Sequence, residues 1–335
     1  MGRLGLWLVG GAVFFFGSNG IAALAGATGA AHGCSVGSCR AKQITFGPVS
    51  ERSPVISPDG KWLAFEFFHS KWTAYSEIWI MPTDGTFKSA RPLVDNRNSN
   101  SGPTWSPDGQ WISFIEHTSD TPRGHLGIVT DQVCKVSVKS GQVVQLTHLH
   151  PHAVTGDSAI WLRDGRIAFK YSGGIYAVPS DGGVAVKLFD VEPRLPKDYE
   201  FASLAFSPNA EDVAFEQIDQ DGNYHLVIVD LARGSLTHPF PTVVWTGLPA
   251  WINDDWLLYS RVDMTRRHYE IWALCVSTGR TERLTDGPFD WNPFFSTALR
   301  SIFVSRNGTN DLLYGFHIWR VPVPKSTIER WFRGN

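Results

Sequence analysis

The stretch "TWSPDGQWISF", residues 104–114, nearly repeats "VISPDGKWLAF", residues 55–65. In each, turn residues stand between a large apolar residue and an apolar run. Weaker copies follow: "LRDG" at 162–165, "SPNA" at 207–210, "INDD" at 252–255 and a degenerate "STAL" at 296–299. Successive copies start 49, 56, 45, 45 and 44 residues apart. A fixed period of this length specifies a repeat architecture, and its all-β form is a propeller with one blade per repeat. The letters are those of a tight turn. Pro presets φ at the first central position, Asp accepts the second, and Gly accepts positive φ at the exit.

The flanks keep register with the turn. A large apolar residue precedes each copy: Ile56, Trp105, Trp161, Phe206, Trp251 and Phe295. After each comes a strand-like run: "WLAFE", "WISFI", "RIAFK", "DVAFE", "WLLYS" and "SIFVS". These runs are apolar on both faces, so they belong between neighbouring sheets. A third strand follows, for example "EIWIMP" at 77–82 or "EIWALCV" at 270–276, then a turn such as "TDG" or "STG", then a more polar fourth strand. Four strands per unit with polarity rising outward fit a radial blade.

The sixth unit lacks a fourth strand of its own. "KQITFGP" at 42–48 parallels "ERLTDGP" at 282–288, the end of unit five. Residues 42–46 are therefore expected to complete the sixth blade and remove the open sheet edges. The expected fold class is all-β: a six-bladed β-propeller of four-stranded antiparallel blades, closed by an N-terminal strand. The expected division is a signal peptide over 1–25, a short linker with a Cys pair over 26–40, the propeller over 41–324 and a C-terminal tail over 325–335.

The signal peptide rests on Arg3, an uncharged apolar stretch over 4–17 too short to span a bilayer, and "ALA" at 23–25 as a cleavage site. An uncleaved anchor is the alternative. Export gives a periplasmic or secreted protein with no stable membrane insertion after cleavage. Cys34 and Cys39 could pair in that setting. Cys134 and Cys275 lie in strand patterns and read as buried, inert thiols. The formal net charge is −2 and no Lys/Arg block occurs, which argues against a nucleic-acid partner.

The "WSPDGxWxxF…EIWxM…DG…LT" pattern resembles the propeller repeats of TolB-like proteins, a WD-repeat-like class. It is also similar to the propeller of the prolyl oligopeptidase and dipeptidyl-peptidase families. The resemblance covers about residues 41–324 and implies fold more than function. TolB also has an α/β domain before its propeller, and only some fifteen residues separate the signal from the first strand here. Its membrane-partner segment has no match in "GATGAAHGCSVGSC". The peptidase families add a hydrolase domain, and no G-x-S-x-G elbow occurs in this chain.

Two sets of candidate residues remain. His148, His150 and His152 alternate in "THLHPH" and could face one side of an extended segment as metal ligands. An ordinary polar loop is the alternative, and no cofactor is expected. The other set rings the tunnel mouth where each first strand begins: Arg52, Ser101, Asp157, Trp245 and Trp291, with Trp72 and Tyr75 nearby. Aromatics and Arg anchor interfaces, although packing at a blade edge uses the same residues. The expected function is that of a non-catalytic module, monomeric, binding a protein, peptide or glycan at that mouth. The alternatives are a hydrolase or metal-dependent lyase at the same mouth, and a structural scaffold.

Overall fold

The computed structural model describes residues 41–69, 75–119, 129–150, 158–197, 199–240, 246–263, 268–308 and 315–333, besides a two-residue ladder pairing Leu8–Val9 with Ala12–Val13. Six four-stranded antiparallel sheets form a six-bladed propeller. The innermost strands are Ser50–Ile56, Ser99–Trp105, Ile160–Trp161, Glu200–Phe206, Thr246–Trp251 and Asp290–Ser296. Each leads through its turn into a second strand, then a third and a fourth.

The repeated turn is built as its letters require. In blade 1 the Ser57 hydroxyl donates to Asp59 at 2.7 Å, and Asp59 also accepts the Lys61 N–H at 3.0 Å. Gly60 closes the turn at φ +76°. Blade 2 repeats this with Ser106, Asp108 and Gln110. The hydrogen bond from the serine, aided by the backbone N–H, holds both aspartates below the ordinary carboxylate range.

The core lies between blades rather than within them. Blades 1 and 2 share Ile78, Ile80, Ile112 and Phe114, and blades 4 and 5 share Ala214, Ile228, Leu257 and Tyr259. One position recurs in every second strand, held by Phe65, Phe114, Phe169, Phe215, Tyr259 and Val304, all fully buried. Each such side chain contributes roughly 1.5–3 kcal/mol of burial. Trp105 reaches back to the carbonyl of Val55 in the preceding blade at 3.1 Å, and Trp251 does the same to Ala205 at 3.0 Å.

The ring closes as the sequence predicts. Lys42–Gln43 pairs antiparallel with Phe316–Pro322, the third strand of blade 6. Ile44 donates its N–H to Ile318 at 2.8 Å, and the Thr45 hydroxyl accepts the Ile318 N–H at 2.8 Å. The same device recurs where Thr147 accepts from Val133 and Thr285 from Ile271, each at 2.9 Å. This explains why "ITFGP" and "LTDGP" look alike. The expected tail contains a helix, Lys325–Trp331, which docks on blades 5 and 6. Trp331 is 2% exposed, and its indole donates to Glu282 at 2.7 Å. Cys134 and Cys275 are free and buried, and burial pushes the Cys134 thiol up.

Candidate functional site at the entry face

Because every blade is an up-and-down meander, its loops alternate between two faces. The "SPDG"-type turns mark one, the turn face. The other, the entry face, carries the segments leading into each first strand and those joining second to third strands. All eight histidines among the described residues lie on or beside the entry face: His69, His117, His148, His150, His225, His238, His268 and His317.

The first strands bulge on their way to the centre. Pairing shifts register between Arg52 and Val55, Ser101 and Thr104, Ala202 and Ala205, Gly247 and Ala250, and Trp291 and Phe294. In each bulge one residue has positive φ: Ser53 (53°), Gly102 (60°), Ser203 (55°), Leu248 (51°) and Asn292 (47°). Those five residues and Ser158 line a central cavity of about 160 Å³. Two buried glutamates on second strands clasp the bulge of the following blade. Glu66 accepts the Gly102 N–H and Glu216 the Leu248 N–H, both at 2.8 Å. At the blade 6–blade 1 junction, Ser305 accepts the Ser53 N–H at 3.2 Å.

Arg52 is 8% exposed. Its guanidinium sits 5.0 Å from the Phe68 ring and 4.8 Å from the Phe316 ring, and its Nε donates to Ser50. It thus seals blade 6 against blade 1. Phe316 also meets Trp291 at 6.1 Å, and Trp291 meets Tyr269 at 4.7 Å. Two predicted mouth residues, Arg52 and Trp291, are therefore joined through one ring that sequence reasoning did not single out. Nearby, Tyr75 donates to Glu77 at 3.1 Å. Burial would raise the Glu77 carboxyl, yet hydrogen bonds from His69, Trp79 and Tyr75 bring it below its ordinary value.

Ser101 is 2% exposed. Its hydroxyl lies 2.8 Å from Nε2 of His117, whose Nδ1 lies 2.7 Å from the Asp131 carboxylate. Three further histidines meet acids: His69 on Glu77 (2.9 Å), His225 on Asp219 (3.0 Å) and His317 on Glu51 (2.8 Å). Blade 6 adds a buried ion pair in which Arg306 Nε meets Asp290 at 2.6 Å. Sequence reasoning missed these partners because each pair joins separate strands or loops.

His148 and His150 are both exposed, and His148 Nδ1 lies 3.1 Å from Gln145 Nε2. His152 lies outside the described residues, as do Asp157, Trp245, Trp72, Cys34 and Cys39. Among the described residues no three His, Cys, Asp or Glu side chains cluster as a metal site. Among them, too, no helix is long and apolar enough to cross a membrane.

No family profile and no curated protein matches the chain in sequence. Solved structures match its fold. TolB from Acinetobacter baumannii is 15% identical over 82% of this chain and 63% of its own length, with a TM-score of 0.54. This chain thus spans less than two thirds of that protein. A putative TolB from Agrobacterium tumefaciens is 15% identical over 83% of this chain and 92% of its own, also at 0.54. An oligogalacturonate lyase in complex with manganese is 12% identical over 85% of this chain and 80% of its own, at 0.52. At such identities the likeness shows a TolB-like six-bladed propeller and nothing finer.

Proposed function

We propose that this chain is an exported, monomeric TolB-like propeller that binds a protein, peptide or glycan at its entry face. The observation behind this reading is the asymmetry of the two faces. Histidines gather on the entry face, and the half-buried Trp291 and Tyr269 meet there above the buried Arg52–Phe316 pair. Residues of these types anchor partners through stacking and hydrogen bonds. The apolar stretch over 4–17 supports export.

Binding to glycan and peptide arrays tests the reading. Trp291→Ala is expected to weaken a retained ligand at least tenfold, while Lys61→Ala on the turn face leaves it unchanged. Equal loss in both variants, or no ligand at all, would count against it. A reporter fused after residue 40 tests export. The enzyme reading is favoured by one observation, the hydrogen-bonded chain from Ser101 through His117 to Asp131.

A further inference from the structure

The order of donors along that chain can be worked out from chemistry. An ionised carboxylate only accepts, so His117 Nδ1 must donate its proton to Asp131. In the neutral imidazole this leaves Nε2 with a lone pair. The group 2.8 Å from that lone pair is the Ser101 hydroxyl, which therefore donates. A serine whose proton points at a histidine, itself oriented by a buried acid, is the arrangement that activates a nucleophile.

Two further observations separate this chain from ordinary blade packing. The repeat does not demand it. At the register of Ser101 four other blades carry Arg52, Ala202, Gly247 and Trp291, and at that of His117 the other five carry Phe68, Ser172, Ile218, Val262 and Asn307. It also sits beside open space: the next residue, Gly102, lines the central cavity, although Ser101 itself does not, and the His117 side chain is 25% exposed.

We infer that Ser101 is a nucleophile for acyl transfer from a small carboxylic ester, with His117 as general base and Asp131 as the residue that positions it. Ser101 Oγ bonds to the carbonyl carbon while its proton passes to His117 Nε2. The ester C–O bond breaks, and the leaving alcohol takes that proton. Water then attacks the acyl-serine, gives a proton to the same nitrogen, and releases the acid as the proton returns to Ser101. The 2% exposure of Ser101 restricts the reaction to small acyl groups. This goes beyond the binding reading, since the mouth would carry a covalent step.

Methanesulfonyl fluoride, small enough for a serine that is 2% exposed, tests the inference directly, because an S–O bond to the serine replaces the S–F bond and fluoride leaves. The expected result on the full chain is one adduct per molecule, located by peptide mass spectrometry at Ser101. Ser101→Ala should abolish it. His117→Gln should slow it at least 100-fold, and Asp131→Asn, which removes the carboxylate charge that fixes the Nδ1 proton and offers an amide donor in its place, serves where His117→Gln fails to fold. With p-nitrophenyl acetate a burst of about one equivalent of p-nitrophenolate is expected. An unmodified wild-type chain, an adduct elsewhere, or an undiminished rate in folded variants of His117 and Asp131 overturns the inference. Such a failure leaves the Trp291→Ala binding test untouched.

Discussion

Thr45 is the position at which the closure of the ring can be challenged with least disturbance. Thr45→Val keeps the shape of the side chain and removes only the hydroxyl that accepts the Ile318 N–H at 2.8 Å. Thr45 is fully buried, so the orphaned N–H meets no water. Leaving one buried donor unpaired costs about 1–3 kcal/mol. For a propeller of this size, 1 kcal/mol moves the midpoint by roughly 2 °C, so the variant should melt about 2–6 °C lower. A chain beginning at residue 48 loses more. It forfeits the pairing of Lys42 with Arg320 and Gln43 with Trp319, the Ile44 bond to Ile318, and the packing of Ile44 against the core that blades 6 and 1 share. Three or four bonds at about 1 kcal/mol each and a partly buried Ile at about 1–2 give roughly 5 kcal/mol, or about 10 °C. Calorimetry on the three chains measures this. An unchanged midpoint in the chain starting at 48 would refute the closure, and a Thr45→Val loss equal to that of the truncation would refute the bookkeeping.

Other outcomes follow from single contacts. Gly247→Ala should destabilise by about 2 kcal/mol in chemical denaturation, because a Cβ there would lie 1.7 Å from Glu216 Oε1. Trp331→Ala should lower stability by about 3–5 kcal/mol and loosen blades 5 and 6, read by hydrogen exchange. Asp290→Asn leaves the buried Arg306 cation without its charge partner and should lose about 3–5 kcal/mol. Asp219 carries a pH signature. Burial would raise its carboxyl from 3.8, but hydrogen bonds from His225 and Asn223 bring it down to about 2. A depressed carboxylate stabilises above its unfolded value, and that share is lost as the pH falls from about 4 through about 2. Acid titration of Asp219→Asn should lack this component, and an unchanged acid profile would count against it.

The repeat could be read from sequence because its informative letters act locally. Ser57, Asp59 and Gly60 satisfy one another within four residues, so the turn survives as a word. Closure was legible for a related reason: Thr45 does what Thr147 and Thr285 do, each after an aliphatic residue, and Thr45 shares with Thr285 the Gly-Pro that follows. The mouth was legible only as a place. Arg52 looked like an anchor for a partner, but its cation is spent between Phe68 and Phe316, which come from blades that meet only when the ring is shut. Ser101, His117 and Asp131 sit on three strands and form no motif, because cross-strand contacts are set by register rather than by spacing along the chain. The docked helix carried a faint signal, Ile328 and Trp331 one turn apart, too short to distinguish from a tail.

The closing strand also sets an order of events. Thr45 meets Ile318 across 273 residues of chain, so the propeller's closing strand is made before all six blades and is the last to find its partner. Until the sixth blade exists, blade 1 lacks the neighbour that shares its core, and Phe65 and Phe67 stay partly uncovered. A chain of this design assembles late and slowly, and its nascent form presents one apolar flank to whatever chaperone handles it.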